Sequence, residues 1–232
     1  MNIPSGYGQQ TAQVILRLKN DGHEVAVVSN YGAAASINWQ GIPVFADGLK
    51  QYSLDIFPAQ LKAWGGVSIG LFDAWPMMPV ANQLKDLNLA WWVPIDHDPV
   101  PPGVVDFFNA SGAFAIAMTR FGEEQLLKRG IPKERVTYIP HAIDRSIWNA
   151  DVQPARDLLR VPEDAHLTII TAMNKGKRKS FPEMLHAWTM FAAVHKDAYL
   201  YLHTDKWGHM DGINLIPLLK SLNAPEARIR WV

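Results

Sequence analysis

Four cations stand directly ahead of an amphipathic stretch in Asn174-Lys175-Gly176-Lys177-Arg178-Lys179-Ser180. Ammonium and guanidinium groups beside the N–H donors of a helix start are what a diphosphate requires: opposite charge, several donors and the positive pole of the helix. Ser180 and Glu183 have the spacing of a capping box, and Pro182 suits a first helical turn, so a helix is expected from Phe181. The segment is not a P-loop, which needs a second glycine four residues ahead of Gly-Lys-Ser/Thr. Its plain alternative is a solvated basic loop.

Three further groups carry polar chemistry near expected strand ends. Gly6 and Gly8 precede a helix expected from Gln9, whose amides could converge on an anion, yet Thr11 stands where a dinucleotide fingerprint has its third glycine. A tight turn explains the pair equally well. Asp96-His97-Asp98-Pro99 follows an apolar run, and the prolines at 94, 99, 101 and 102 are expected to keep it extended, with Asp96 and Asp98 facing one way and His97 the other. A substrate contact by His97, a stiff solvated loop and a metal held by two carboxylates all fit. Two carboxylates are thin coordination for a metal. His141 with Asp144, and His203 with Thr204 and Asp205, also follow strand candidates and are possible cleft residues, although a histidine in such a loop serves packing as readily. No serine has a nucleophile elbow around it, and the chain has no cysteine, which excludes thiolate catalysis, disulfides and Cys-ligated zinc. Of the nine tryptophans, most lie in apolar runs and read as core; Trp207 is the one placed for ligand contact.

These residues are positioned by a regular alternation. Strand candidates cover 24–29, 42–46, 67–72, 89–95, 114–118 and 136–139, with helix candidates at 9–20, 54–63, 78–87 and 122–129. Gly22 and Gly130 stand where helix ends favour positive φ. This is one doubly wound α/β domain, residues 1–150, of Rossmann-like type. A turn-rich linker from Pro140 to about Pro154 follows, and the alternation restarts over 151–232: strand 167–172, helix 181–194, strand 198–202, helix 212–222 and strand 228–232. The glycine-bearing stretch Pro4-Ser5-Gly6-Tyr7-Gly8 has no strand candidate ahead of it, and the last strand candidate coincides with Val232. A missing first strand and an incomplete second domain are therefore expected.

Composition sets bounds. Hydrophobic residues make up 48% and charged residues 19%, enough for a core and too little charge for a disordered chain. The 22 basic residues balance the 22 acidic ones, so no nucleic-acid partner is indicated by net charge. No apolar run is long enough to span a bilayer and no leader opens the chain, so a cytoplasmic protein is expected.

Taken in order, the segments resemble the family 4 retaining glycosyltransferases of the GT-B fold. The resemblance rests on Ser5-Gly6-Tyr7-Gly8-Gln9-Gln10-Thr11, Gly22-His23-Glu24-Val25, the Asp96-His97 loop, Thr119-Arg120-Phe121-Gly122 to Gly130, Ile139-Pro140-His141-Ala142-Ile143-Asp144, and Arg178-Lys179 before a helix. It implies two Rossmann-like domains, an acceptor-side first one and a donor-binding second one, with chemistry between them. It places the glycine loop of Gly6 and Gly8 at the cleft, gives His97 a contact to the transferred sugar with Asp96 beside it, and gives Arg178 with Lys179 the donor diphosphate. The family's arginine after the second domain's first strand is replaced by Met173 and Asn174, so Asn174, Lys175 or Arg178 substitutes for it. Ala142 replaces a usual glycine, and the family's paired glutamates have no counterpart within these residues. The implied reaction is hexosyl transfer from a nucleotide diphosphate sugar to an unidentified acceptor, a saccharide, a lipid-linked molecule or another small molecule. It needs neither a metal nor a further cofactor. A nucleotide-sugar epimerase and a non-catalytic sugar-nucleotide-binding fragment are the alternatives.

Overall fold

The computed structural model describes residues 5–151, 156–209 and 211–231. The expected linker end at Pro154, the opening Pro4 and the terminal Val232 lie outside the described residues. The chain forms two compact units, Met1–Trp148 and Asn149–Val232. Each is built around parallel strands.

The first unit contains α1 (Gly6–Asn20), β1 (Val27–Val28), β2 (Ile37–Trp39), β3 (Ile42–Phe45), α2 (Phe57–Trp64), β4 (Val67–Leu71), β5 (Asn88–Val93), α3 (Pro102–Ser111), β6 (Phe114–Ala117), α4 (Arg120–Lys128) and β7 (Val136–Tyr138). Strands β4-β5-β6-β7 pair in parallel as one sheet. A second sheet has the order β1-β3-β2, in which β1 and β3 are parallel and β2 and β3 form a hairpin. The single continuous sheet expected from the alternation is thus observed in two pieces, because β1 and β4 do not pair. The hairpin strand β2 was not expected. Its signal is Gln40-Gly41, both at positive φ, the backbone of a tight turn between short strands.

Helix α3 also departs from the expectation of an extended, proline-stiffened loop. Pro101 and Pro102 instead occupy the helix start, where a missing N–H costs nothing, and Val104, Phe107, Phe108 and Ser111 then recur on one buried face. Gly112 ends it at φ 68°. Residues 75–84 coil as a 3-10 helix carrying Pro76 and Pro79, where an α-helix over 78–87 was expected. Gly22 and Gly130 do hold positive φ, at 91° and 85°.

The core of this unit centres on Trp91, fully buried between Phe57 and Phe107, with ring centroids at 6.2 and 5.0 Å. Its indole N–H would be costly to bury unpaired, and it donates to the Phe72 carbonyl at 2.8 Å. Gly70, on the neighbouring strand, leaves room for the ring: a Cβ there would lie 2.1 Å from the indole.

The second unit contains α5 (Arg156–Leu159), β8 (His166–Thr171), α6 (Phe181–Val194), β9 (Ala198–His203), α7 (Leu215–Ser221) and β10 (Ile229–Trp231), with sheet order β10-β9-β8, all parallel. Along β9 the fully buried Ala198, Leu200 and Leu202 alternate with half-buried Tyr199 and Tyr201. The buried set packs with Phe181, Leu185 and Trp188 of α6 and Leu215 and Leu219 of α7. The boundaries of α6 coincide with those expected, since a 14-residue apolar stripe leaves little ambiguity.

Both units use one device at a strand entry. Arg135, just before β7, donates to the carbonyls of Phe108 and Ala113 at 2.7 and 2.9 Å. Arg228, just before β10, donates to Ala192 at 2.8 Å, His195 at 2.8 Å and Ala198 at 3.2 Å. In each case a guanidinium satisfies carbonyls where the preceding helix gives way to the neighbouring strand.

Gly70→Ala drives a methyl group into the Trp91 ring in a packed core. A loss of about 1–3 kcal/mol in unfolding free energy is expected, read by denaturant titration of tryptophan fluorescence; an unchanged midpoint would show that the ring has room to move.

Candidate functional site

The basic segment lies at the carboxyl end of β8, and its geometry depends on Asn174. This side chain is 1% exposed. Its amide donates to the carbonyls of Asp205 and Ile213 at 2.8 and 2.7 Å, and its carbonyl oxygen accepts from Ile213 N–H at 3.1 Å. Gly176 N–H donates to the Asp211 carbonyl at 2.9 Å. The loop after β8 is therefore pinned to the loop after β9. Gly212 is needed for the close approach, since a Cβ there would meet the Asn174 backbone carbonyl oxygen at 2.3 Å and its Oδ1 at 2.7 Å.

On this support stand Lys175, Lys177 and Arg178, all exposed, and Lys179, half-buried. None of the four is in an ion pair with a described residue. The turn Lys177–Ser180 closes through Ser180 N–H to the Lys177 carbonyl at 3.0 Å and delivers the chain into α6. The expected capping box does not form. Ser180 sits at φ 48°, ψ 41°, left-handed rather than extended, and its side chain makes no cap bond. The left-handed turn that brings the cations to the helix end is what removes the serine from capping geometry. The first turn of α6 is left without a side-chain acceptor, and Pro182 contributes no N–H.

Next to this loop, Asp205 accepts from Trp207 N–H at 2.9 Å and His209 N–H at 2.6 Å, which holds its carboxyl below the usual range. Lys206 lies over the Trp207 ring at 5.1 Å. His203 ends β9 with Nδ1 3.1 Å from the Tyr201 hydroxyl. The Thr204 hydroxyl is buried with no partner among the described residues.

In the first unit the corresponding edge gathers a different chemistry. Helix α1 begins at Gly6, three residues earlier than expected, with Ser5 as N-cap accepting from Gly8 N–H at 3.1 Å. The Gly8 amide is thereby committed to the cap rather than offered to an anion. Nothing lies within 4 Å of where a Gly6 Cβ would stand, so packing among the described residues does not demand that glycine. Tyr7 packs edge-on against Phe72 at 5.6 Å, and its hydroxyl donates to Asp73 Oδ2 at 3.4 Å. Burial, with the Asp73 charge second, pushes the Tyr7 phenol well above its ordinary range. Burial also raises the Asp73 carboxyl; the Tyr7 hydrogen bond opposes this and the Asp96 charge adds to it. Sequence reasoning missed Asp73. Its signal was available, since it follows the strand at 67–71 as Asp96 follows the next one.

Asp96 and His97 do not face opposite ways. Asp96 Oδ1 lies 2.5 Å from His97 Nδ1, while Asp98 turns to accept from Gln125 Nε2 at 3.3 Å. Hydrogen bonding within the loop outweighs the alternation that an extended strand would impose. The His97 ring is 66% exposed, fixed at one nitrogen and open at the other. His141 stacks edge-on against Trp92 at 4.7 Å, and this burial lowers its pKa. Ala142 N–H donates to the buried Gln10 at 3.2 Å, so the segment after β7 closes against the first turns of α1. Asp144 caps Ser146, at 2.6 and 2.9 Å, which holds its carboxyl low. Among the described residues no three His, Asp or Glu side chains converge in a way that could hold a metal ion. No helix among them is long and apolar enough to cross a membrane.

Asn174→Ala leaves three half-buried backbone groups of Asp205 and Ile213 without their partner. The expected cost is about 2–5 kcal/mol, accompanied by faster amide exchange over 205–213; a change in exchange confined to 174–180 would show that the two loops are held together by something else.

No protein-family model matches the chain, and no curated protein matches it. Solved structures do. The chain is similar to WaaG, a glycosyltransferase involved in lipopolysaccharide biosynthesis, with a TM-score of 0.69 at 11% identity, over 98% of this chain and 66% of that one. It aligns more loosely with S. aureus MnaA in its UDP co-structure, with a TM-score of 0.42 at 13% identity, over all of this chain and 53% of that one. The chain thus spans 66% of the length of the WaaG structure. At these identities the likeness speaks for the fold, and the fold is α/β of GT-B type, with two Rossmann-like units built on parallel sheets.

Proposed function

We propose that the protein to which this chain belongs is a glycosyltransferase that moves a hexosyl group from a nucleoside diphosphate sugar to an acceptor, with retention of configuration and without a metal. The observation that carries the reading is the basic loop of the second unit: four cations without ion-pair partners among the described residues, at the carboxyl end of a parallel strand, beside a helix start whose N-cap side chain makes no cap bond. Open α/β sheets bind ligands at that edge. Lys179 and Arg178, with the amides of Phe181 and Glu183, supply charge and donors to a departing diphosphate, and Lys175 adds to the field. Asn174 acts from beneath, holding the loop in place.

In the first unit, the Asp96 carboxylate fixes the proton of His97 on Nδ1, so that Nε2 faces outward as the group that meets a sugar hydroxyl or carbonyl. One observation favours a second reading. Asp73 is a half-buried carboxyl with a raised pKa, the kind of base that a nucleotide-sugar epimerase needs. Product analysis with and without acceptor separates the two: a new glycoside requires transfer, whereas an inverted centre on the free nucleotide sugar requires epimerisation.

The longest reading frame that contains this chain should lose about 1.5–3 kcal/mol of nucleoside diphosphate affinity in Lys179→Ala, roughly tenfold to a hundredfold. Arg178→Ala should behave alike, and Lys177→Ala should change little. Calorimetric titration with a panel of nucleoside diphosphates measures this, and equal small effects at all three positions would remove the phosphate site.

In the same protein His97→Ala should lower turnover while leaving the melting temperature nearly unchanged, because the ring is largely exposed. A fall in melting temperature with turnover per folded molecule unchanged would make His97 a packing residue.

A further inference from the structure

The carboxyl edge of the first unit carries an aromatic group that the donor-binding reading does not use. Phe72, just past β4, is met by the rings of Tyr52 at 5.1 Å, Tyr7 at 5.6 Å and Tyr31 at 6.3 Å. Phe72 is buried, Tyr7 and Tyr52 are half-buried, and Tyr31 is exposed. Tyr52 and Ser53 both hold left-handed backbone, at φ 58° and 57°, which residues with a side chain seldom adopt. Ser53 fixes that turn, since its fully buried hydroxyl donates to the Ser29 carbonyl at 2.7 Å and accepts from Gly48 N–H at 3.0 Å. The loop after β3 is thereby tied to the end of β1, with the Tyr52 ring against Phe72. Trp75, two residues past Asp73, adds an exposed indole.

The polar groups beside these rings are mainly acceptors. Asp73 is half-buried, and among the described residues its one side-chain partner is the Tyr7 hydroxyl at 3.4 Å, a long bond for a phenol and a carboxyl group. Asp96 commits one oxygen to His97. Asn30 Oδ1, one residue before Tyr31, is shielded from water and has no partner among the described residues. The field is negative as well. The ionisable groups that act on Tyr7 are Asp73, Tyr31 and Asp96, and those that act on Asp73 are Tyr7 and Asp96. No lysine or arginine among the described residues is one of them. Arg120, after β6, is paired instead with Glu123 at 2.8 Å, and Lys50, after β3, acts on Asp55.

We propose that this edge binds the acceptor and that the acceptor is an uncharged saccharide. A pyranose brings what the edge lacks, hydroxyl donors for Asp73, Asp96 and Asn30, and it presents apolar C–H faces to the rings of Tyr31 and Trp75. A phosphate or carboxylate group brings only more negative charge to two aspartates, and no described cation acts on Asp73 to offset it. Acceptors whose reacting residue carries such a group are therefore disfavoured here, in contrast with the cation-rich loop of the second unit. The Asp96 charge acts on both Tyr7 and Asp73, so the carboxylate that orients His97 also borders the place of the acceptor. This inference rests on the transferase reading and narrows it to one class of acceptor.

Saturation-transfer NMR on the longest reading frame that contains this chain tests it, with nucleoside diphosphate present. The probes are the methyl glycosides of glucose, galactose and mannose, each beside its phosphate ester and its uronate. An uncharged glycoside should bind at least about tenfold more tightly than its charged counterparts. Asp73→Asn should reduce that preference by about tenfold, the size of one charge-assisted hydrogen bond, and leave nucleoside diphosphate affinity unchanged. Tyr31→Ala, at an exposed position, should weaken the glycoside without lowering the melting temperature, and it decides the matter if Asp73→Asn does not fold. Charged probes that bind as tightly as uncharged ones, or no binding of any glycoside, overturn the proposal. Tighter binding of the matched amino sugars also overturns it, as do variants that change neither affinity nor preference. Nucleoside diphosphate binding in the same samples separates the two readings: the glycoside preference without it removes the transferase and leaves the saccharide site, and the converse removes the saccharide site alone.

Discussion

Because β4 to β7 and β8 to β10 pair in parallel, each of these strands reaches the next only by crossing over through other structure, and the carboxyl ends of each of these two sheets open on one edge. Several of the polar groups described above are found there. Asp73 follows β4, Asp96 and His97 follow β5, and His141 follows β7. In the second unit Asn174 to Ser180 follow β8, and His203 to Asp205 follow β9. The loops at the opposite edges carry the structural work, as Arg135 and Arg228 show by satisfying carbonyls just before β7 and β10.

Within the basic loop, rigidity and charge are divided between residues. Asn174 spends its whole amide on the neighbouring loop, and the turn Lys177–Ser180 directs the chain into α6. Among the described residues the cations then have no ion-pair partner, and they stand at a helix start without a side-chain cap bond. A capped helix with paired lysines would be more stable and would attract an anion less, since both the dipole and the charges would already be answered. The first unit shows the contrast. There Ser5 caps α1, the Gly8 amide is used, and the polar chemistry passes to Tyr7, Asp73, Asp96 and His97.

Much of this was legible from periodicity. The strands at 114–117 and 136–138 and the helix at 181–194 appear where runs of apolar residues required them, and the glycine stops at Gly22 and Gly130 hold the φ that favours glycine. The errors have definite causes. Pro101 and Pro102 were read as extended although proline also begins helices, and the buried face at 104, 107, 108 and 111 was the stronger signal. Ser180 has the spacing of a capping residue, but spacing along the chain does not specify φ.

The sequence by itself determined the fold class, the alternation of elements and the concentration of cations ahead of α6, because hydrophobic period and charge are local properties of the chain. Tertiary structure alone decided that Asn174 is buried beneath the loop, that Asp96 turns to His97 while Asp98 turns to Gln125, and that Asp73 meets Tyr7 across 66 residues of chain. Each of these depends on which groups are left in contact after the sheets form, and hydrogen bonds between residues far apart in the chain leave no mark on its period.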